Sequence, residues 1–146
     1  MNQSIGKYSG YAYTLLRVIV GLLFACHGGQ KILGFPPSGK VMQLDALGMT
    51  GGYIELICGF LIAFGLFTRP AAFLASGMMA VAYFMAHAKG GFFPIVNHGE
   101  SAVLYCFVFL YIFFRGPGWL SLDGMIWGRT AGDDAVGGPM RAGRDL

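Results

Sequence analysis

His27, Lys31, Glu55, His87, Asn97, His98 and Glu100 are the residues of this chain whose types could do chemistry within otherwise apolar surroundings. Carboxylates, imidazoles and an amine gathered at one depth can exchange protons, orient a polar ring or hold a metal ion. His27 and Lys31 stand four residues apart and share one face of a helix. Glu55 lies among Tyr53, Ile54, Leu56 and Ile57 on a side chain too short to reach far for water. Burial there demands a partner, and Lys31 is the candidate nearest in depth. Ionisable groups are expensive in hydrocarbon, so their collection toward one end of several apolar stretches points to a site.

Those stretches place the chain in a class. Of 146 residues, 55% are hydrophobic and only 12% charged, which reads as an integral membrane protein rather than a soluble one. At about 20 residues per span, helices are predicted over Tyr11–Leu33, Gly51–Thr68, Pro70–Ala88 and Pro94–Arg115. The fold class is therefore all-α, an integral membrane four-helix bundle over residues 1–128. Thr68-Arg69-Pro70 makes a tight hairpin, because proline suits a first helical turn and restricts the residue before it. The Gly34–Thr50 connection is long enough to fold over a site and is expected to carry a short helix near Val41–Leu47. Beyond Gly116-Pro117-Gly118, two tryptophans, Trp119 and Trp127, flank a short amphipathic segment expected to lie among lipid headgroups. Arg129–Leu146, with almost nothing to bury, reads as a flexible cytoplasmic tail.

Leu23-Phe24-Ala25-Cys26 has the look of a lipoprotein cleavage box, but the apolar stretch continues past Cys26, and the segment reads as a retained helix. Small residues mark the helix contacts: Gly21 and Gly28 in the first helix, Gly59 and Ala63 in the second, Ala72, Ser76 and Ala80 in the third. The basic residues divide seven to three: Lys7, Arg17, Arg69, Arg115, Arg129, Arg141 and Arg144 on the side of the termini, against Lys31, Lys40 and Lys89. That bias predicts a multi-pass protein of the bacterial inner membrane with both termini cytoplasmic.

Composition also excludes. A net charge of +3 scattered over loops and ends forms no nucleic-acid patch. Cys26, Cys58 and Cys106 have no CxxC or metal-type pairing, and each reads as a small apolar residue. Lys89 reads as a lysine that snorkels to water, and Lys31 could do the same or take a partner. His27, His87 and His98 with Glu55 or Glu100 have ligand chemistry, but no HxxxH or ExxH pair presets a metal site. Tyr53, Tyr83, Tyr105, Phe92 and Phe93 could line a ring-binding pocket or serve only as filling. Arg17, at the opposite end from Glu55, is expected to form a structural ion pair with Asp123.

Taken in order, Arg17, Gly21, His27-Gly28-Gly29-Gln30-Lys31, Glu55, Gly59, Gly65-Leu66-Phe67-Thr68-Arg69, Gly91-Phe92-Phe93-Pro94, Asn97-His98-Gly99-Glu100, Gly116-Pro117-Gly118 and Ser121-Leu122-Asp123 resemble the DoxX family. The resemblance implies a small four-helix bacterial membrane protein with a link to redox chemistry, since relatives include the large subunit of thiosulfate:quinone oxidoreductase. On that footing the leading expectation is a redox component or subunit of a membrane oxidoreductase with a quinone-type pocket in its outer half. Glu55, Lys31 and His27 would handle protons, while His87, His98, Glu100, Asn97, Tyr53 and Tyr83 would line the ligand. The sequence has no haem, flavin or iron–sulfur motif, so electrons would come from a partner protein or a small donor. Two other readings stay open, a non-catalytic scaffold or assembly factor and a metal-binding or transport protein, as does homo-oligomerisation.

Overall fold

A computed structural model of the chain describes residues 6, 8–37 and 44–128, and all regular structure among them is helical. The elements are α1 (Ser9–Leu33), α2 (Ala46–Phe64), α3 (Thr68–Ala82), a single turn α4 (Pro94–Asn97), α5 (Glu100–Arg115) and the short α6 (Leu122–Ile126). From Tyr83 the third helix widens into a π turn to His87 and then tightens into a 3-10 turn, Ala88–Gly90. Among the described residues three helices are long and apolar enough to cross a membrane: Ser9–Leu33, Ala46–Phe64 and Thr68–Gly90.

The expected fourth helix over 94–115 is interrupted. Pro94 opens one turn, but His98 sits in the left-handed region at φ 58° and ends it, and α5 restarts at Glu100 with 16 residues. At 1.5 Å per residue α5 spans only about 24 Å. The second helix also begins earlier than predicted, because Asp45 accepts a hydrogen bond from Gly48 N at 2.8 Å and caps a start at Ala46. Glu55 therefore lies about 14 Å from that start, farther along than the roughly 6 Å that a start at Gly51 would give. Of the helix expected near Val41–Leu47, residues 41–43 lie outside the described residues, as does the tail from Arg129.

Glycine fixes how α1 meets α2. The two run antiparallel, and a Cβ on Gly21 would stand 2.6 Å from Ala63 N, one on Gly28 only 2.3 Å from Leu56 N, and one on Gly59 2.5 Å from Ala25 N. Real side chains cannot occupy such gaps, so hydrogen at these positions is what lets the two backbones touch. Gly52 completes the pattern one heptad before Gly59, with the Lys31 and Ile32 side chains lying against it. The second strong pairing is α3 with α5, also antiparallel, where Ser76 Oγ donates to Cys106 O at 2.8 Å. Phe24, Ile62, Phe109, Ile112, Ala72 and Ala75 fill the core between the pairs. Cys58 is buried as expected of a small apolar residue, but Cys26 is exposed on α1.

Candidate functional site

The polar groups separate into two ends with different chemistry. At the end of the α2–α3 turn, charge is used to close helices. Arg17, 1% exposed, sends Nη1 to the carbonyls of Ile62 (2.5 Å) and Ala63 (2.9 Å) and Nη2 to that of Leu120 (2.5 Å). The first two carbonyls lie in the last turn of α2, where Ile62 O also accepts from Gly65 N at 3.1 Å and Ala63 O has no partner inside the helix, and a cation suits the negative end of its dipole. Arg69 does the same for α5, donating to Phe113 O (2.9 Å) and Phe114 O (3.2 Å). Asp123 takes the opposite task at the positive end of α3. Its carboxylate accepts from Phe67 N (2.7 Å), Thr68 N (2.8 Å) and Thr68 Oγ1 (2.8 Å).

The ion pair expected between Arg17 and Asp123 does not form, since each is committed to a different helix end. They are joined through backbone instead: Asp123 N donates to Gly65 O at 2.8 Å, and the Arg17 guanidinium packs against Gly65. Gly65, at φ 69°, has no room for a Cβ there. Tyr13, which sequence reasoning passed over, donates its hydroxyl to Gly116 O and lies under the Arg115 guanidinium, 5.0 Å from ring centre.

At the other end lies a pair that closes no helix. Lys31 Nζ and Glu55 Oε1 are 2.6 Å apart, with side-chain exposures of 26% and 7%. The glycine contact between α1 and α2 puts them face to face, which is the partnership predicted for Glu55. The other oxygen, Glu55 Oε2, is buried without a hydrogen-bond partner. Unsatisfied buried acceptors are rare enough to call for an explanation. Beside the pair stands an aromatic group, Phe24 against Tyr105 (centroids 5.4 Å apart) and against Phe109 (4.6 Å). Tyr105 lies near enough to sense the Glu55 charge, and His27 meets the Tyr105 ring edge-on at 6.1 Å. His27 is otherwise exposed on α1.

The remaining candidates do not join that pair. Asn97 is buried with every side-chain polar atom engaged: Nδ2 donates to Tyr83 Oη (3.2 Å) and Gly91 O (2.7 Å), and Oδ1 accepts from Gly99 N (2.8 Å). Tyr83 donates in turn to Phe92 O, and His87 Nδ1 lies 3.2 Å from Asn97 O. This knot of Tyr83, His87 and Asn97 ties the π turn to the start of α5. Tyr53, His98 and Glu100 are exposed and stand outside both clusters. Among the described residues no three His, Cys, Asp or Glu side chains come together to hold a metal ion, and His27, His87 and His98 do not converge. An apolar groove of about 420 Å³ runs beside the knot, lined by Met79, Tyr83, Phe84, Ala102 and Cys106, and includes neither Lys31 nor Glu55.

Helices of this length and apolarity, with ionised groups paired between two of them, define an all-helical membrane protein. The chain belongs to the DoxX family, whose profile matches residues 12–88 and so takes in Arg17, Lys31, Glu55 and Arg69. It is 43% identical over 126 residues to an "Uncharacterized protein" of Haemophilus influenzae, covering 82% of this chain and 94% of that one. A second "Uncharacterized protein" of the same organism is 35% identical over 134 residues, 85% of this chain and 87% of its own. "Putative oxidoreductase CatD" of Bacillus subtilis is 29% identical over 119 residues, 77% of this chain and 85% of its own. No solved structure is a significant match.

Proposed function

We propose that this protein is a redox component of the bacterial inner membrane that binds a quinone-type ring beside the Lys31–Glu55 pair and exchanges electrons with a partner protein or a small donor. The observation that carries the reading is the buried pair itself, with one carboxylate oxygen left unsatisfied. Arg17, Arg69 and Asp123 earn their place in the fold by capping helices, whereas Lys31 and Glu55 cap none. The half-buried Tyr105 ring, backed by the core residues Phe24 and Phe109, offers a flat apolar surface next to a few placed polar atoms. Glu55 takes and returns the proton that accompanies ring reduction or oxidation, Lys31 holds its carboxylate in place, and His27 relays at the exposed edge. Similarity to a relative named as an oxidoreductase supports the redox assignment.

In this reading α5 with the preceding Pro94–Asn97 turn is the fourth span, and α6 lies at the cytoplasmic surface on the side of both termini. Impermeant thiol labelling in intact cells should then modify Ser38→Cys and spare Gly137→Cys, and the reverse pattern would invert the topology. For the function, gently solubilised protein should carry extractable quinone, and Glu55→Gln should abolish quinone-linked turnover while the protein stays folded. Absence of both quinone and turnover, together with a stoichiometric stable partner, would replace the redox reading with a scaffold.

A further inference from the structure

The Glu55 carboxylate is satisfied on one side only. Oε1 faces the Lys31 ammonium at 2.6 Å, while Oε2 is sealed from solvent with no donor in reach. An ionised carboxylate can only accept hydrogen bonds, so whatever completes this site has to bring an O–H or N–H. That requirement separates the two redox forms of a quinone-type ring. The oxidised dione presents carbonyl lone pairs, and a carbonyl set against Oε2 would oppose acceptor with acceptor. The reduced ring is an aromatic diol whose hydroxyl supplies the missing donor, and hydrogen bonds to ionised acceptors are the stronger kind.

Access is also one-sided. Glu55 is 7% exposed and Lys31 26%, so the pair meets its surroundings mainly on the side of Lys31, its long flexible member. Its stem rests against Gly52, where no side chain stands in its way. The half-buried Tyr105 ring is within electrostatic reach of the same carboxylate, with Phe24 and Phe109 packed in the core behind it.

We propose that the Lys31–Glu55 site binds the reduced, dihydroxy-aromatic form of a quinone-type ring in preference to the dione, with a ring hydroxyl donating to Glu55 Oε2. The inference rests on the ring-binding reading above and adds to it which redox form the site holds.

The test is equilibrium binding of a short-chain benzoquinol and its matching benzoquinone to the full chain in lipid nanodiscs, each kept in its own redox state. The wild type should bind the diol at least about tenfold tighter, the effect of one hydrogen bond to a charged acceptor. Glu55→Gln, which puts an N–H donor where an acceptor stood, should bring the ratio to about one or reverse it. Equal or tighter binding of the dione to the wild type overturns the preference and leaves the ring site standing. A diol preference that Glu55→Gln leaves unchanged overturns the assignment to Oε2. Binding of neither form overturns the ring site itself. The wild-type ratio needs no variant, so it decides the preference even where Glu55→Gln fails to fold.

Discussion

Arg17 and Glu55 are both ionisable groups buried within a membrane protein, yet they are satisfied in different ways. Arg17 spreads its charge over three backbone carbonyls, and neighbouring Arg69 and Asp123 close two further helix ends, each charge matched to the sign of the dipole it meets. Arg17 Nε has no partner of its own, but the guanidinium as a whole is held on both of its terminal nitrogens. Glu55 has a single charged partner, a quarter exposed, and an oxygen with nothing to bind. One end of the bundle is wired into the backbone, where a charge serves folding. The other keeps its charges on side chains that close no helix, and an incompletely satisfied pair is what a ligand or a proton can use.

Changes at the capped end should therefore cost folding first. Arg17→Met keeps much of the side-chain length but strips the partners from Ala63 O and Leu120 O and leaves Ile62 O only its bond from Gly65 N. Each unsatisfied carbonyl in hydrocarbon costs on the order of several kcal/mol, so the variant should lose most of its folded yield. Recovery of monodisperse protein at wild-type levels would show that Arg17 is not a structural cap. Next in size is Gly28→Val, whose added carbons have no space between Gly52 O and Leu56 N. Overpacking of about 1–3 kcal/mol or more should lower the thermal midpoint in detergent. Because the same contact brings Lys31 to Glu55, ligand binding should fall with it, the one substitution expected to damage both ends together. Asp123→Ala removes an acceptor shared by Phe67 N, Thr68 N and Thr68 Oγ1, and should cost about 1–2 kcal/mol, as loss of a helix cap does. A ligand affinity that drops as steeply as stability in this variant would erase the distinction between the ends.

The Lys31–Glu55 contact was legible in the sequence because a short carboxylate between apolar neighbours leaves few ways to be satisfied. The close approach of α1 and α2 was legible from Gly21, Gly28 and Gly59, although Gly52, which completes the repeat, was not singled out. Arg17 and Asp123 were rightly placed together at the opposite end, but charge complementarity suggested a direct pair where terminal backbone groups had the stronger claim on both. Sequence alone does not display those orphan carbonyls and amides, since they depend on where each helix stops. The same blindness hid Asp45 as the cap of α2 and so placed Glu55 too near its start. His87, Asn97 and Tyr83 stood in the sequence as polar residues near helix ends, with nothing to show that they bond to one another. Only the π turn and the left-handed His98 turn them toward one another.

The smallest stability effect, and the largest functional one, belongs to Glu55→Gln. Glutamine keeps the shape and retains an oxygen for Lys31 Nζ, so what is lost is the ionic part of one contact whose cationic partner is 26% exposed. Solvent screening on the Lys31 side holds that loss to about 1 kcal/mol or less. Lys31→Met is not its mirror image, because it strands a carboxylate that is 7% exposed with neither oxygen satisfied. Removing one partner of a buried pair costs about 3–5 kcal/mol, and partial access to water along the vacated Lys31 path should bring the loss below that range. The double variant, with no charge left to strand, should recover part of the stability lost in Lys31→Met. Thermal midpoints of the four proteins in detergent check this order. A Glu55→Gln midpoint as low as that of Arg17→Met would mean that Glu55 is a structural charge like those at the capped end. A midpoint near wild type combined with lost ring binding would separate the two ends in the way their hydrogen bonds already differ.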